Sequence, residues 1–229
     1  MNNLSLEFDR ELDSISHYML YPELKVWIGS NYGHARSKIL ILGESHYLPR
    51  DCTQHHNVVR WYEGLPTELR SGFGWLNTRK IIANGIQNGW KERSKSIYRN
   101  IETAIFESKL LLDSPATAFT EVAYMNFFQR PAESTGGSIR VRPEDVSRSA
   151  EVLKNVAAVI QPNIVMFASS LAWRWAEASS LDDFLRHRGV SVGRAPHPGM
   201  PWWNRSSRKY DGKSGRRHFI DQIDSYLPS

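Results

Sequence analysis

The ten residues KILILGESHY, 38 to 47, set a carboxylate, a hydroxyl, an imidazole and a phenol directly behind four aliphatics and a glycine. Four aliphatics are too few for a free-standing helix, and with Gly43 behind them they predict a buried parallel strand whose end opens on a polar loop. Ligands of open α/β sheets bind just beyond such ends. Three further segments repeat the arrangement: EVAYMNFF from 121, NIVMFAS from 163 and GVSVGRAPHP from 189. With parallel strands, Asn126, Ser169, Ser170 and His197 stand with Gly43, Glu44, Ser45, His46 and Tyr47 at one rim of the sheet. Each also has an ordinary structural use: a buried turn for Asn126, a helix cap for the serines, a tight Pro-rich turn for His197. Together they would make a pocket suited to a polar planar ligand.

Helices must hold these strands. LEFDRELDSISHYML spaces Leu6, Leu12, Ile15 and Leu20 for a helix ahead of the first strand. Residues 48–76 mix prolines, glycines, aromatics and histidines without a sustained period, which predicts a long loop or lid with short helical pieces. Ile97, Ile101 and Ile105 form one helical face, and Val146, Ala150, Leu153, Ala157 and Ile160 form another, which RPED at 142–145 starts well. A last helix runs from about Arg216 to Leu227. Strands alternating with helices predict a three-layer α/β/α fold around a mostly parallel four-stranded sheet with right-handed crossovers. The expected organisation is one domain, 1–229, with a helical extension at 1–36 and a lid or insertion at 48–76.

At 229 residues with one cysteine, the chain is large enough to bury a core and has no disulfide framework or four-cysteine metal site. Cys52, His55 and His56 do not have a recognisable zinc spacing. No metal or cofactor is expected. No stretch reaches membrane-spanning length, and Glu7, Asp9 and Glu11 follow Met1 where a signal peptide would be basic, so a cytoplasmic, monomeric protein without membrane contact is expected. The net charge is +5. Arg205, Arg208, Lys209, Lys213, Arg216 and Arg217 crowd behind Trp202 and Trp203, a mixture suited to phosphates and unstacked bases.

Taken in order, LILGESHY, YMNFF, MFASSLA and APHPGMPWW resemble the four signature elements of the uracil-DNA glycosylase superfamily, over about residue 38 to the C-terminus. The resemblance implies that Gly43 to Tyr47 place the attacking water and wall the base pocket, with Tyr47 crowding a pyrimidine and His46 where a proline is usual. Asn126 would read the base edge, Ser169 and Ser170 would grip a phosphate, and His197 would stabilise the departing base. Met200 and Trp202 would wedge into the duplex. Ser45 stands where the best-known members carry a water-orienting aspartate, and Glu44 stands one residue earlier, where some members carry a glutamate. The segment CTQHHN, 52–57, would line a pocket roomy enough for modified bases. The implied activity is hydrolysis of the N-glycosidic bond of a uracil-like or modified pyrimidine flipped from DNA, in repair or in defence against modified phage DNA.

Two other readings use the same residues. Ser45, Asn126 and His197 also resemble the nucleophile, oxyanion donor and base of SGNH esterases, although Arg194 stands where that family has an aspartate. A non-catalytic reader of flipped bases would keep the fold without the chemistry.

Overall fold

The structure, a computed structural model, describes residues 3–113 and 116–228. Its strands are β1 (Trp27–Ile28), β2 (Ile39–Gly43), β3 (Val122–Asn126), β4 (Ile164–Phe167) and β5 (Ser191–Arg194). Its helices are α1 (Asp9–Leu12), α2 (Ser16–Leu20), α3 (Val58–Glu63), α4 (Thr78–Gln87), α5 (Ser96–Phe106), α6 (Pro143–Ile160), α7 (Ser170–Ala178), α8 (Leu181–Arg186) and α9 (Gly215–Tyr226). The sheet has five strands rather than the expected four, in the order β1-β3-β2-β4-β5. The four expected strands are parallel, and β1 adds an antiparallel edge to β3. Two residues carry too little periodicity to reveal β1 in the sequence; its pairing with β3 and the burial of Trp27 define it.

Alternate residues of each strand enter different layers. Leu40, Leu42, Met125 and Phe167 pack with the apolar faces of α6, α7 and α8, whereas Ile39, Ile41, Tyr124 and Met166 pack with α5 and α9. This two-sided burial explains the unbroken apolar runs. The crossover from β2 to β3 runs one way along the sheet and the later crossovers run the other, so right-handed connections place their helices on opposite faces. The direction reverses between β2 and β4, and a crevice opens there at the carboxyl ends of the strands.

Two expectations are corrected. The helix predicted from Leu6 to Leu20 is broken into α1 and α2. Residues 48–76 form the expected long loop with short helical pieces, α3 among them, and they are packed down: Trp61, Leu65, Phe73 and Leu76 are buried, and Trp61 stacks on Tyr21 with centroids 4.3 Å apart. The aromatics that obscured the periodicity are what seat this segment. The CTQHHN stretch does not line the pocket. His55 and His56 bond the carbonyls of Ala132 and Glu133 at 3.0 and 3.3 Å, and Cys52 Sγ donates to the Ser71 carbonyl. Among the described residues, no group of three or more metal-ligating side chains occurs and no helix is long and apolar enough to cross a membrane.

The loop from β3 to α6 is tied by Arg130, which is fully buried. Its guanidinium donates twice to Asp145 and also to Glu133 and the carbonyls of His55 and Arg140. Asp145 in turn accepts from the Tyr62 hydroxyl at 2.7 Å and from the Arg142 N–H at 2.9 Å. Arg130→Met leaves Asp145 buried without its cation and is expected to cost about 3–5 kcal/mol in urea denaturation. A loss below about 1 kcal/mol would refute this account.

Burial also holds His17 and His46 down at about 4. The unfolded chain takes up these protons near pH 6.5, whereas the folded chain does so only near 4, so stability is complete above that window and falls as the pH drops through it. Urea midpoints are expected to decline between pH 7 and pH 5, and less steeply in His17→Gln. Equal slopes would remove His17 as a contributor.

Candidate functional site

The parallel register brings the polar ends of β2 and β3 side by side, with Gly43 opposite Asn126. A Cβ at Gly43 would stand 2.2 Å from both Asn126 Oδ1 and the Tyr124 hydroxyl, so glycine is required by this close approach. Tyr124 donates its hydroxyl to Asn126 Oδ1 at 3.1 Å, which leaves the amide Nδ2 as the unengaged group. Beyond the strands, Phe127 and Phe128 donate their N–H groups to the carbonyls of Gly43 and Glu44, and Ala132 donates to that of His46. The two loops are thereby zipped together.

On the other side of β2, Ser169 is fully buried at the end of β4. Its Oγ donates to Glu44 Oε2 at 2.7 Å and accepts the Ala172 N–H at 3.2 Å, capping α7. The expected phosphate contact through Ser169 is therefore corrected: its hydroxyl is engaged on both sides, holding Glu44 across the crevice. Ser170, the first residue of α7, is exposed and lines the groove.

His197 follows β5 in a loop held from two helices. Asn100 of α5 donates to the Pro198 carbonyl at 2.8 Å, and Gly215 of α9 lies so close to Pro196 that a Cβ there would stand 2.1 Å from its ring. The Gly199 N–H donates to His197 Nδ1 at 3.2 Å. In a neutral ring this leaves the proton on Nε2, which has no protein partner among the described residues. Burial lowers the His197 pKa and the nearby Glu44 charge opposes that shift, with burial the larger effect, so the ring is neutral near pH 7.

Two connected hollows meet at these residues. A chamber of ≈ 510 Å³ is lined by Ser45, His46, Asn126, Tyr98 and Tyr124, with Trp75, Lys80 and Lys95 toward its mouth. A groove of ≈ 500 Å³ is lined by Glu44, Ser170, Arg174, Met200, Trp202 and Lys209. Tyr47, Gly136 and His197 line both. The junction is thus walled by a phenol and an imidazole, with an amide on one side and a carboxylate on the other. Burial, reinforced by the Glu44 charge, raises the Tyr47 pKa and keeps the phenol neutral.

The remaining candidates separate. His46 is buried with Nε2 on the Thr78 hydroxyl at 3.0 Å, which makes it a fixed wall of the chamber. Ser45 Oγ is buried without a hydrogen-bond partner among the described residues. Met200 and Trp202 are exposed at the rim, while Trp203 is buried against Phe219. Arg205 and Arg208 are exposed on the loop beyond the groove, and Lys209 reaches it. Arg216 and Arg217 do not line the hollows: they pair with Glu107 at 3.2 Å and Asp221 at 2.7 Å along α9. Sequence reasoning missed Tyr98, Asn100, Arg174 and the 135–138 loop. Only the fold brings those segments to the strand ends, although the helical period of Ile97, Ile101 and Ile105 already places Tyr98 beside a core-facing side.

Compared with known proteins, the chain matches no family model and no curated protein.

Gly43→Ala is expected to lower stability by about 1–3 kcal/mol through overpacking and to displace the Asn126 side-chain amide signals in NMR spectra. Full stability with unmoved signals would show that the contact does not constrain the site.

Proposed function

We propose that this chain is a DNA glycosylase that hydrolyses the N-glycosidic bond of an extruded uracil-like or modified pyrimidine. One observation carries the reading: the base-reading amide and the carboxylate lie in different hollows, and His197 and Tyr47 stand where the hollows meet. A nucleotide with its base in the chamber and its sugar in the groove puts its glycosidic bond at that junction. The four sequence elements that resemble the uracil-DNA glycosylase superfamily supply these same residues.

In this reading Asn126 donates through Nδ2 to the base edge, and Tyr47 and Tyr98 flank the ring. As the bond breaks, its electron pair leaves with the base and positive charge spreads over the sugar. His197 Nε2–H donates to the base oxygen on which the negative charge collects. Glu44, with Oε2 held by Ser169, faces the cationic sugar and takes the proton of the water whose oxygen bonds to the anomeric carbon. The products are an abasic site and the base, which leaves as its anion and is protonated from solvent as Glu44 gives up the proton it took. Extrusion costs a few kcal/mol, which Met200 and Trp202 offset by filling the space left in the stack. Arg205, Arg208, Lys209 and Ser170 are the phosphate contacts this arrangement favours.

The esterase reading draws no support from the same atoms. A nucleophilic serine needs its base within hydrogen-bond reach, and among the described residues Ser45 Oγ has no partner. The orienting position at His197 Nδ1 is taken by a backbone N–H rather than a carboxylate. A non-catalytic reader differs from the glycosylase only in the work of Glu44 and His197.

The test is a panel of DNAs carrying uracil, deaminated purines, and plain, hydroxymethylated or glucosylated cytosine, with released base detected by mass spectrometry. Release from at least one pyrimidine substrate is expected. His197→Ala and Glu44→Gln are each expected to lower the single-turnover rate by about 10²–10³ while DNA affinity changes less than about twofold. Undiminished release by both variants would overturn the assignment, and a blank panel with intact DNA binding would favour the reader.

A further inference from the structure

Beyond the groove, between α7 and α9, lies a separate cleft of ≈ 290 Å³ that shares Ser170, Arg174, Lys209 and Tyr210 with it. Three cations line this cleft: Arg174, Arg194 and Lys209. Every ion pair found along α9 uses other residues, and among the described residues none of the three has an acidic partner within 4.0 Å. Glu177 stands on the same wall and pairs with none of them.

The cleft is also fixed from behind. The Arg194 guanidinium lies over the Trp173 ring at 5.2 Å, so stacking holds it in place, and among the described residues no side chain or carbonyl accepts its N–H donors. The Arg194 backbone N–H donates to Gln222 Oε1 at 2.7 Å, which turns the Gln222 amide nitrogen toward His218 Nε2, also at 2.7 Å. His218 therefore accepts through Nε2, and its pKa is lowered, by burial first and by Arg194 next, so it is a neutral lining group. Trp173 is 8% exposed, and the contact of its ring with Arg194 makes its indole a reporter of what enters the cleft. Two guanidinium groups and a lysine around one hollow are complementary to an oxyanion with several acceptor oxygens.

We propose that this cleft is a phosphate-binding subsite. Resting on the glycosylase reading, its natural occupant is a backbone phosphate flanking the extruded nucleotide, because the cleft continues the groove in which the sugar lies. Arg174 stands at the step between the two hollows, and Arg194, stacked on the Trp173 ring, lines the cleft beyond it. Bound there, a strand is held on a second phosphate away from the reacting bond, which sets its register without reading a base.

Inorganic phosphate and a DNA dodecamer serve as separate probes. The Trp173 indole N–H signal, assigned by its loss in Trp173→Phe, is followed by NMR during titration of the native protein with phosphate, with chloride at equal ionic strength as the control. The signal is expected to move with phosphate and with the dodecamer but not with chloride. DNA affinity is then measured against salt. The Arg174→Gln/Arg194→Gln double variant is expected to bind about tenfold more weakly and to lose about one unit of the salt slope. A Trp173 signal that ignores both probes, or a folded double variant with the native slope, overturns the subsite. A signal that moves with phosphate in a protein that binds no DNA keeps the subsite for a free phosphate and sinks the glycosylase reading instead.

Discussion

Arg130 is buried in the loop that joins β3 to α6, and all five of its N–H groups donate to acceptors from the 54–56 turn, the 133–140 loop and the start of α6. A guanidinium out of water is tolerated only when paired and saturated, so these segments cannot separate without stranding a charge. The loop held in this way carries Thr135 and Gly136 to the mouth of the chamber. The same network bonds α3 to α6 through Tyr62 and Asp145, which is why the 48–76 segment is seated rather than free. The shape of the cavity thus rests on an ion pair that touches no part of it.

At the strand ends, each polar group is aimed by a neighbour. Ser169 holds one oxygen of Glu44, Gly199 sets the His197 tautomer, and Tyr124 turns the Asn126 amide. Donors and acceptors oriented before a ligand arrives need not reorganise when it binds. Burial works in the same direction by keeping both rings at the junction, His197 and Tyr47, uncharged.

Much of this was legible in the chain. Four apolar runs ending in polar residues mark the parallel strands within a residue or two, because strands covered on both faces admit no polar interruption. The helices α5 and α6 follow from their apolar spacing, and Pro143 with Glu144 and Asp145 marks where α6 begins. Less was legible where side chains have two uses. Ser169 reads as a cap or a phosphate contact, and only the tertiary structure shows that its hydroxyl caps α7 and also holds Glu44 across the crevice. Arg216 and Arg217 read as part of a basic run, yet their acidic partners are Glu107, far away in the chain, and Asp221 one turn on. Local composition counts charges without showing which of them are neutralised.

The sequence by itself determined the layer architecture and the residue types gathered at the rim, since both follow from where apolar runs stop. Tertiary structure alone decided that Gly43 faces Asn126, that Ser169 meets Glu44 across a reversal in strand order, and that Tyr98, Asn100 and Arg174 reach the same place. Register, crossover direction and side-chain pairing arise between segments up to 125 residues apart, as in the contact from Ser169 to Glu44. No local periodicity encodes such a distance. The division is physical: burial is a property of each residue's own side chain, whereas a site is a property of the space between them.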